Sequence, residues 1–138
     1  MITDKTDKIN KIIIKKTNDI LIKFYNLANI VLIIFYLFPG SIFGYFLYNN
    51  SSIQPQITRD FFISSNHFYV FTIFSIIGVI AYRNIYKKNL FIYLFSLSII
   101  LEFFHLIIPN RGFEFKDLLG NISGVVLVFI FYKFKEKY

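Results

Sequence analysis

The chain has no cysteine and no tryptophan, one methionine, three prolines and two histidines in 138 residues. Without cysteine there is no disulfide, no thiolate metal site and no cysteine nucleophile. Tryptophan, the usual marker of a membrane–water boundary, is missing, so the ten tyrosines are left to take that role. No His-x-x-x-His or His-Glu-x-x-His pair is present, no glycine-rich phosphate loop and no Gly-x-Ser-x-Gly elbow. Ser64 and Ser65 near His67 are not a triad by themselves. On these grounds the sequence predicts neither a metal site nor a cofactor.

What the chain does have is apolar surface. Hydrophobic residues make up 56% of it and aromatics 21%, with nineteen Phe. One core of a soluble domain this size does not hide that much, so the composition predicts a membrane protein, all-α, with much of its surface on lipid. A span needs about 20 apolar residues. Four segments qualify, at about 27–48, 67–82, 90–108 and 118–132, the second and fourth being short. Pro39-Gly40 lies within the first and predicts a kink there. The first segment reads as a retained helix rather than a cleaved signal, because no small-x-small site follows it.

The expected organisation is a basic, cytoplasmic or interfacial segment over 1–26, a four-helix transmembrane bundle over 27–132 and a basic tail over 133–138. Of the 15 basic residues, only Arg59, Arg111 and Lys116 lie outside the N-terminal segment, the 83–89 loop and the tail. Basic residues favour the cytoplasmic side, so both termini and the 83–89 loop are expected inside, in a bacterial cytoplasmic membrane. Lysine richness alone is no nucleic-acid signature, and no nucleic-acid partner is read. Ile9, Ile12, Ile13 and Lys16 keep helical spacing, which suits an interfacial helix or a plain basic anchor. Thr17-Asn18-Asp19 interrupts that spacing and marks a turn or a fresh helix start.

This topology gathers the chemistry at the outer leaflet. His67 opens the second span, Glu102 and His105 lie near the end of the third, and Asp117 and Asn121 open the fourth. Glu102 is about 10 Å inward of Pro109. Ionisable groups at that depth usually face a partner or a polar cavity. Glu102 and His105 are i, i+3 neighbours, and Asp117 and Asn121 are i, i+4. His67 and His105 are the candidate proton carriers, with Glu102 and Asp117 as orienting or catalytic carboxylates. Arg111 and Asn121 are candidate ligand-binding groups. Gly120 and Gly124 form a small-xxx-small pair for close helix packing. Plainer roles stand beside these: Asp117 as a helix N-terminal carboxylate, Asn121 as a packing hydrogen bond, Arg111 as a snorkelling surface residue.

At these positions the chain resembles the VanZ-like family of small bacterial membrane proteins. That pattern has an Asp-Lys-x-x-His-Phe entry to one span, a Glu-x-x-Gln helix end, an Arg in the next loop, then Asp-x-x-x-Asn-x-x-Gly. The matching residues here are His67-Phe68, Glu102, Arg111, Asp117, Asn121 and Gly124, within about 45–131. Ile63 and Ser64 stand where the family has Asp-Lys, and His105 where it has Gln. The resemblance implies a cell-envelope role, since the founding member is associated with resistance to the glycopeptide teicoplanin.

Three functions compete at this point. The first is an outer-leaflet polar pocket that binds, or binds and modifies, an envelope lipid or glycolipid. The second is a non-catalytic scaffold or accessory subunit with a membrane-protein partner, its polar cluster a helix-packing network. The third is a small transporter, for which four spans would require oligomerisation.

Overall fold

The computed structural model describes the backbone of residues 2–83 and 87–137, and the side chains of 10–83 and 87–137. Among these residues there are five helices and no strand. They are α1 (Ile2–Leu37), α2 (Ile42–Tyr48), α3 (Ser65–Ala81), α4 (Lys87–Phe104) and α5 (Phe115–Lys137).

The N-terminal segment and the first span are one helix. No glycine or proline occurs before Pro39, and α1 runs unbroken through the expected boundary at residue 26. Thr17 does not interrupt it; its hydroxyl donates to the Ile13 carbonyl four residues back, at 2.9 Å. The expected kink at Pro39-Gly40 is a full break. The residue before a proline is driven out of the α region, and Gly40 adopts φ +95°, a conformation side chains resist. Ser41 then caps α2, its Oγ accepting from the Gly44 N–H at 3.0 Å. The span expected over 27–48 therefore ends at Leu37, and α1 recovers its length from the N-terminal side. The third segment also ends early, at Phe104, in tight turns through residue 108. The tail from residue 133 continues α5 as helix to Lys137. The 83–89 loop lies partly outside the described residues.

Two stretches, Asn10–Leu37 and Phe115–Lys137, are long and apolar enough to cross a membrane. Only 17% and 28% of their apolar windows are buried within the protein. A soluble core helix with so apolar a sequence would be covered by its neighbours. Here Ile30, Ile34, Ile73, Ile100 and Phe131 all lie exposed on the helix faces.

Helix direction alternates. Tyr36 near the end of α1, His67 near the start of α3, Glu102 near the end of α4 and Asn121 near the start of α5 meet at one end of the molecule. At the other end Arg83 bonds Asn18, and the Lys87 ammonium lies 5.5 Å from the Tyr132 ring centre. Between the ends sits an apolar core around Phe71, Leu94, Leu101 and Val125, with Tyr25 stacked on Phe74 at 4.8 Å. Helices α3 and α5 approach most closely. A Cβ on Gly120 would stand 2.7 Å from the Ser64 carbonyl oxygen, and one on Gly124 2.7 Å from that of Phe68. The missing side chains let the two backbones touch.

Candidate functional site

The centre of the polar end is Asn121, which is fully buried. Its Nδ2 donates to the Ser98 carbonyl of α4 at 3.2 Å, which fixes the amide orientation. Its Oδ1 accepts from the Tyr36 hydroxyl at 2.7 Å and lies 3.0 Å from His67 Nδ1. One amide thus links α1, α3, α4 and α5. With Oδ1 able only to accept, the His67 proton belongs on Nδ1. His67 Nε2 faces Asp117 Oδ2, 3.2 Å away, a contact that a proton or a cation between the two atoms makes favourable.

A second histidine–carboxylate pair lies alongside. His105 Nε2 is 3.1 Å from the Tyr36 carbonyl, an acceptor, so that nitrogen is the donor. Its Nδ1 faces Glu102 Oε1 at 3.4 Å. The same Oε1 accepts from the Glu114 N–H at 3.1 Å. Glu102 is wholly buried, and its Oε2 has no hydrogen-bond partner among the described residues. It stands 3.9 Å from His67 Nδ1.

Arg111 and His105 also complete the end of α1. In an uninterrupted helix the Phe35 carbonyl would accept from residue 39 and that of Tyr36 from residue 40. Residue 39 is a proline and has no N–H. Arg111 Nη2 reaches the Phe35 carbonyl at 3.4 Å, Arg111 Nε that of Phe38 at 3.3 Å, and His105 Nε2 that of Tyr36. Cationic side chains suit a helix C-terminus. Burial lowers the Arg111 guanidinium from its ordinary value, opposed by Tyr36, Asp117 and Glu102 nearby; it stays charged.

Two cavities open beside the cluster. The larger, about 370 Å³, is mostly apolar, lined by Phe35, Phe43, Leu47 and Val70 together with His67. The smaller, about 120 Å³, is mostly polar and includes Asp117, Asn110 and Ser51. Ser41, Gln54, His105 and Arg111 line both. Glu102 lines neither, so it acts on anything bound there only through its neighbours.

The structure therefore brings His67, Glu102, His105, Asp117, Asn121 and Arg111 together at one end, while Gly120 and Gly124 lie along the α3–α5 contact. Sequence reasoning missed Tyr36. One tyrosine among ten carries no local mark, and only its position three residues before Pro39 hinted that it ends a helix. Gln54 was missed as well; it lies in the irregular loop between α2 and α3, with no periodicity to place it. That loop is held by Asn66, whose side chain accepts from the Ile57 N–H and donates to the Pro55 carbonyl.

Fold and site together define an all-helical protein with two helices fit to cross a membrane and a buried histidine–carboxylate–amide cluster at one end. Compared with protein-family models, curated proteins and solved structures, the chain matches none of them.

Proposed function

We propose that this is a VanZ-like, four-span protein of the bacterial cytoplasmic membrane, termini inside, whose outer-leaflet pocket binds an anionic envelope lipid or glycolipid. The observation that carries this reading is the pair of neighbouring cavities, one apolar and one polar, with Arg111 on the wall of both. That division matches an amphiphile, with acyl chain in the larger space and charged head in the smaller. A planar guanidinium beside the polar chamber suits a phosphate or carboxylate. Four spans are supported by the alternating helix directions, the unburied apolar faces and the placing of every lysine but Lys116 away from the histidine–carboxylate end. At 17 and 18 residues, α3 and α4 reach about 26–27 Å, a little short of a ~30 Å hydrocarbon core. Local thinning accommodates that difference.

The pocket also has groups for acid–base chemistry on a bound head. His67, His105 and Asp117 line the cavities, and Glu102 supports His105 from behind.

A second reading, a non-catalytic scaffold or accessory subunit, is favoured by the linkage of four helices through Asn121 and by the bonds of Arg111 to α1 carbonyls. Native mass spectrometry in mild detergent separates the two. Under the pocket reading, wild type retains a defined phosphate-bearing lipid or glycolipid. Folded Arg111→Ala loses it, and so does Val70→Phe, which fills the apolar wall without touching the polar network. If every folded form carries only the same bulk lipid, the pocket reading fails and the scaffold reading stands.

A further inference from the structure

We propose that His67, Asp117 and Glu102 form a binding site for one divalent transition-metal ion of the zinc or manganese class, seated between the helix ends. One donor atom from each of the three lies within 4.8 Å of the others. They come from α3, α5 and α4, at sequence separations that no local metal motif encodes. This departs from the sequence expectation of no metal.

Four features support the site. First, His67 Nδ1 lies 3.0 Å from Asn121 Oδ1, an acceptor whose amide orientation is set independently by the Ser98 carbonyl, so the ring can donate there and keep Nε2 for an ion. Ligating histidines commonly donate their second ring N–H in this way. Second, Nε2 faces a carboxylate oxygen at 3.2 Å, a spacing that needs a proton or a cation between the two atoms. Donors at 2.0–2.1 Å on one tetrahedral zinc stand roughly 3.3 Å apart, so this spacing already fits. Third, Glu102 Oε2 is buried without a partner among the described residues, 3.9 Å from Nδ1 of that ring, and offers the third donor from the Asn121 side of the imidazole. Leaving a carboxylate oxygen so placed is costly, and a cation relieves it. Fourth, His67 and Asp117 also line the cavities, which leaves an open position toward them for water or an anionic head. One imidazole and two carboxylates suit zinc or manganese rather than the softer metals that thiolates select.

The site does not rest on the lipid reading, because metal binding is measured without lipid. The test uses full-length protein in detergent, stripped with EDTA and titrated with Zn²⁺ and with Mn²⁺, followed by calorimetry and elemental analysis. One equivalent per chain is expected, with a rise in Tm on loading. Asp117→Asn and Glu102→Gln keep the side-chain shapes and should weaken binding by about tenfold or more. Glu136→Gln, at the opposite end, should bind as wild type does. A wild-type chain that takes up no stoichiometric ion overturns the proposal, whether or not the variants fold. So does binding that Asp117→Asn and Glu102→Gln leave unchanged. In either case the His67–Asp117 pair holds a proton instead.

Discussion

The Arg111 guanidinium donates through Nη2 to the carbonyl of Phe35, 3.4 Å away. That carbonyl is the acceptor that Pro39 leaves without a helical partner. A loop cation from the far side of the sequence thus finishes the first helix, and the break after that helix is tied to a residue that lines both cavities.

This coupling is measurable. Arg111→Ala should lower stability by about 1–2 kcal/mol, since its bonds are charge-assisted but long. Pro39→Ala restores a backbone N–H near the orphaned carbonyl. In a double-mutant cycle it should reduce the cost of Arg111→Ala. Strict additivity in detergent unfolding would show that the two residues act independently.

The Asn121 network predicts a second non-additive pair. Asn121→Ala removes the acceptor for Tyr36 and His67 and the donor for Ser98, and should cost about 1–3 kcal/mol. Tyr36→Phe should cost about 1 kcal/mol on its own. With Asn121 already absent, Tyr36→Phe should cost distinctly less. Equal costs in both backgrounds would argue against the shared bond.

Close approach of α3 and α5 makes Gly124 a sharp test. A Cβ there would lie 2.7 Å from the Phe68 carbonyl oxygen and 2.8 Å from the Thr72 amide nitrogen, both backbone atoms that cannot rotate away. Gly124→Ala should destabilise by about 1–3 kcal/mol. Gly112→Ala, whose Cβ would meet nothing within 4 Å, should leave Tm nearly unchanged. A tolerated Gly124→Ala would mean that the helices pack less tightly than described.

The absence of native cysteine makes topology directly readable. Arg59→Cys, in the exposed loop before α3, should react with a membrane-impermeant maleimide in intact cells. Lys135→Cys, exposed near the end of α5, should react only after permeabilisation. The reverse pattern would turn the protein over and place the histidine–carboxylate end inside.

The sequence alone determined a helical, lipid-suited chain and grouped its chemical residues by position along the helices. Composition dictates the first, because so much apolar and aromatic surface cannot be buried in one small core. Helical spacing dictates the second, because i, i+3 and i, i+4 neighbours such as Glu102–His105 and Asp117–Asn121 are set by local geometry. Tertiary structure decided which groups from different helices meet. The meeting of His67 Nε2 with Asp117, the choice of Tyr36 among ten tyrosines and the reach of Arg111 to Phe35 depend on helix rotation and approach. Gly120 and Gly124 let α3 lie against α5, and Pro39 and Gly40 stop α1 where its free carbonyls face Arg111 and His105. The extent of that break was also not legible, since a proline in an apolar run is compatible with a kink or a stop. The neighbouring Gly40 at positive φ and the Ser41 cap made it a stop.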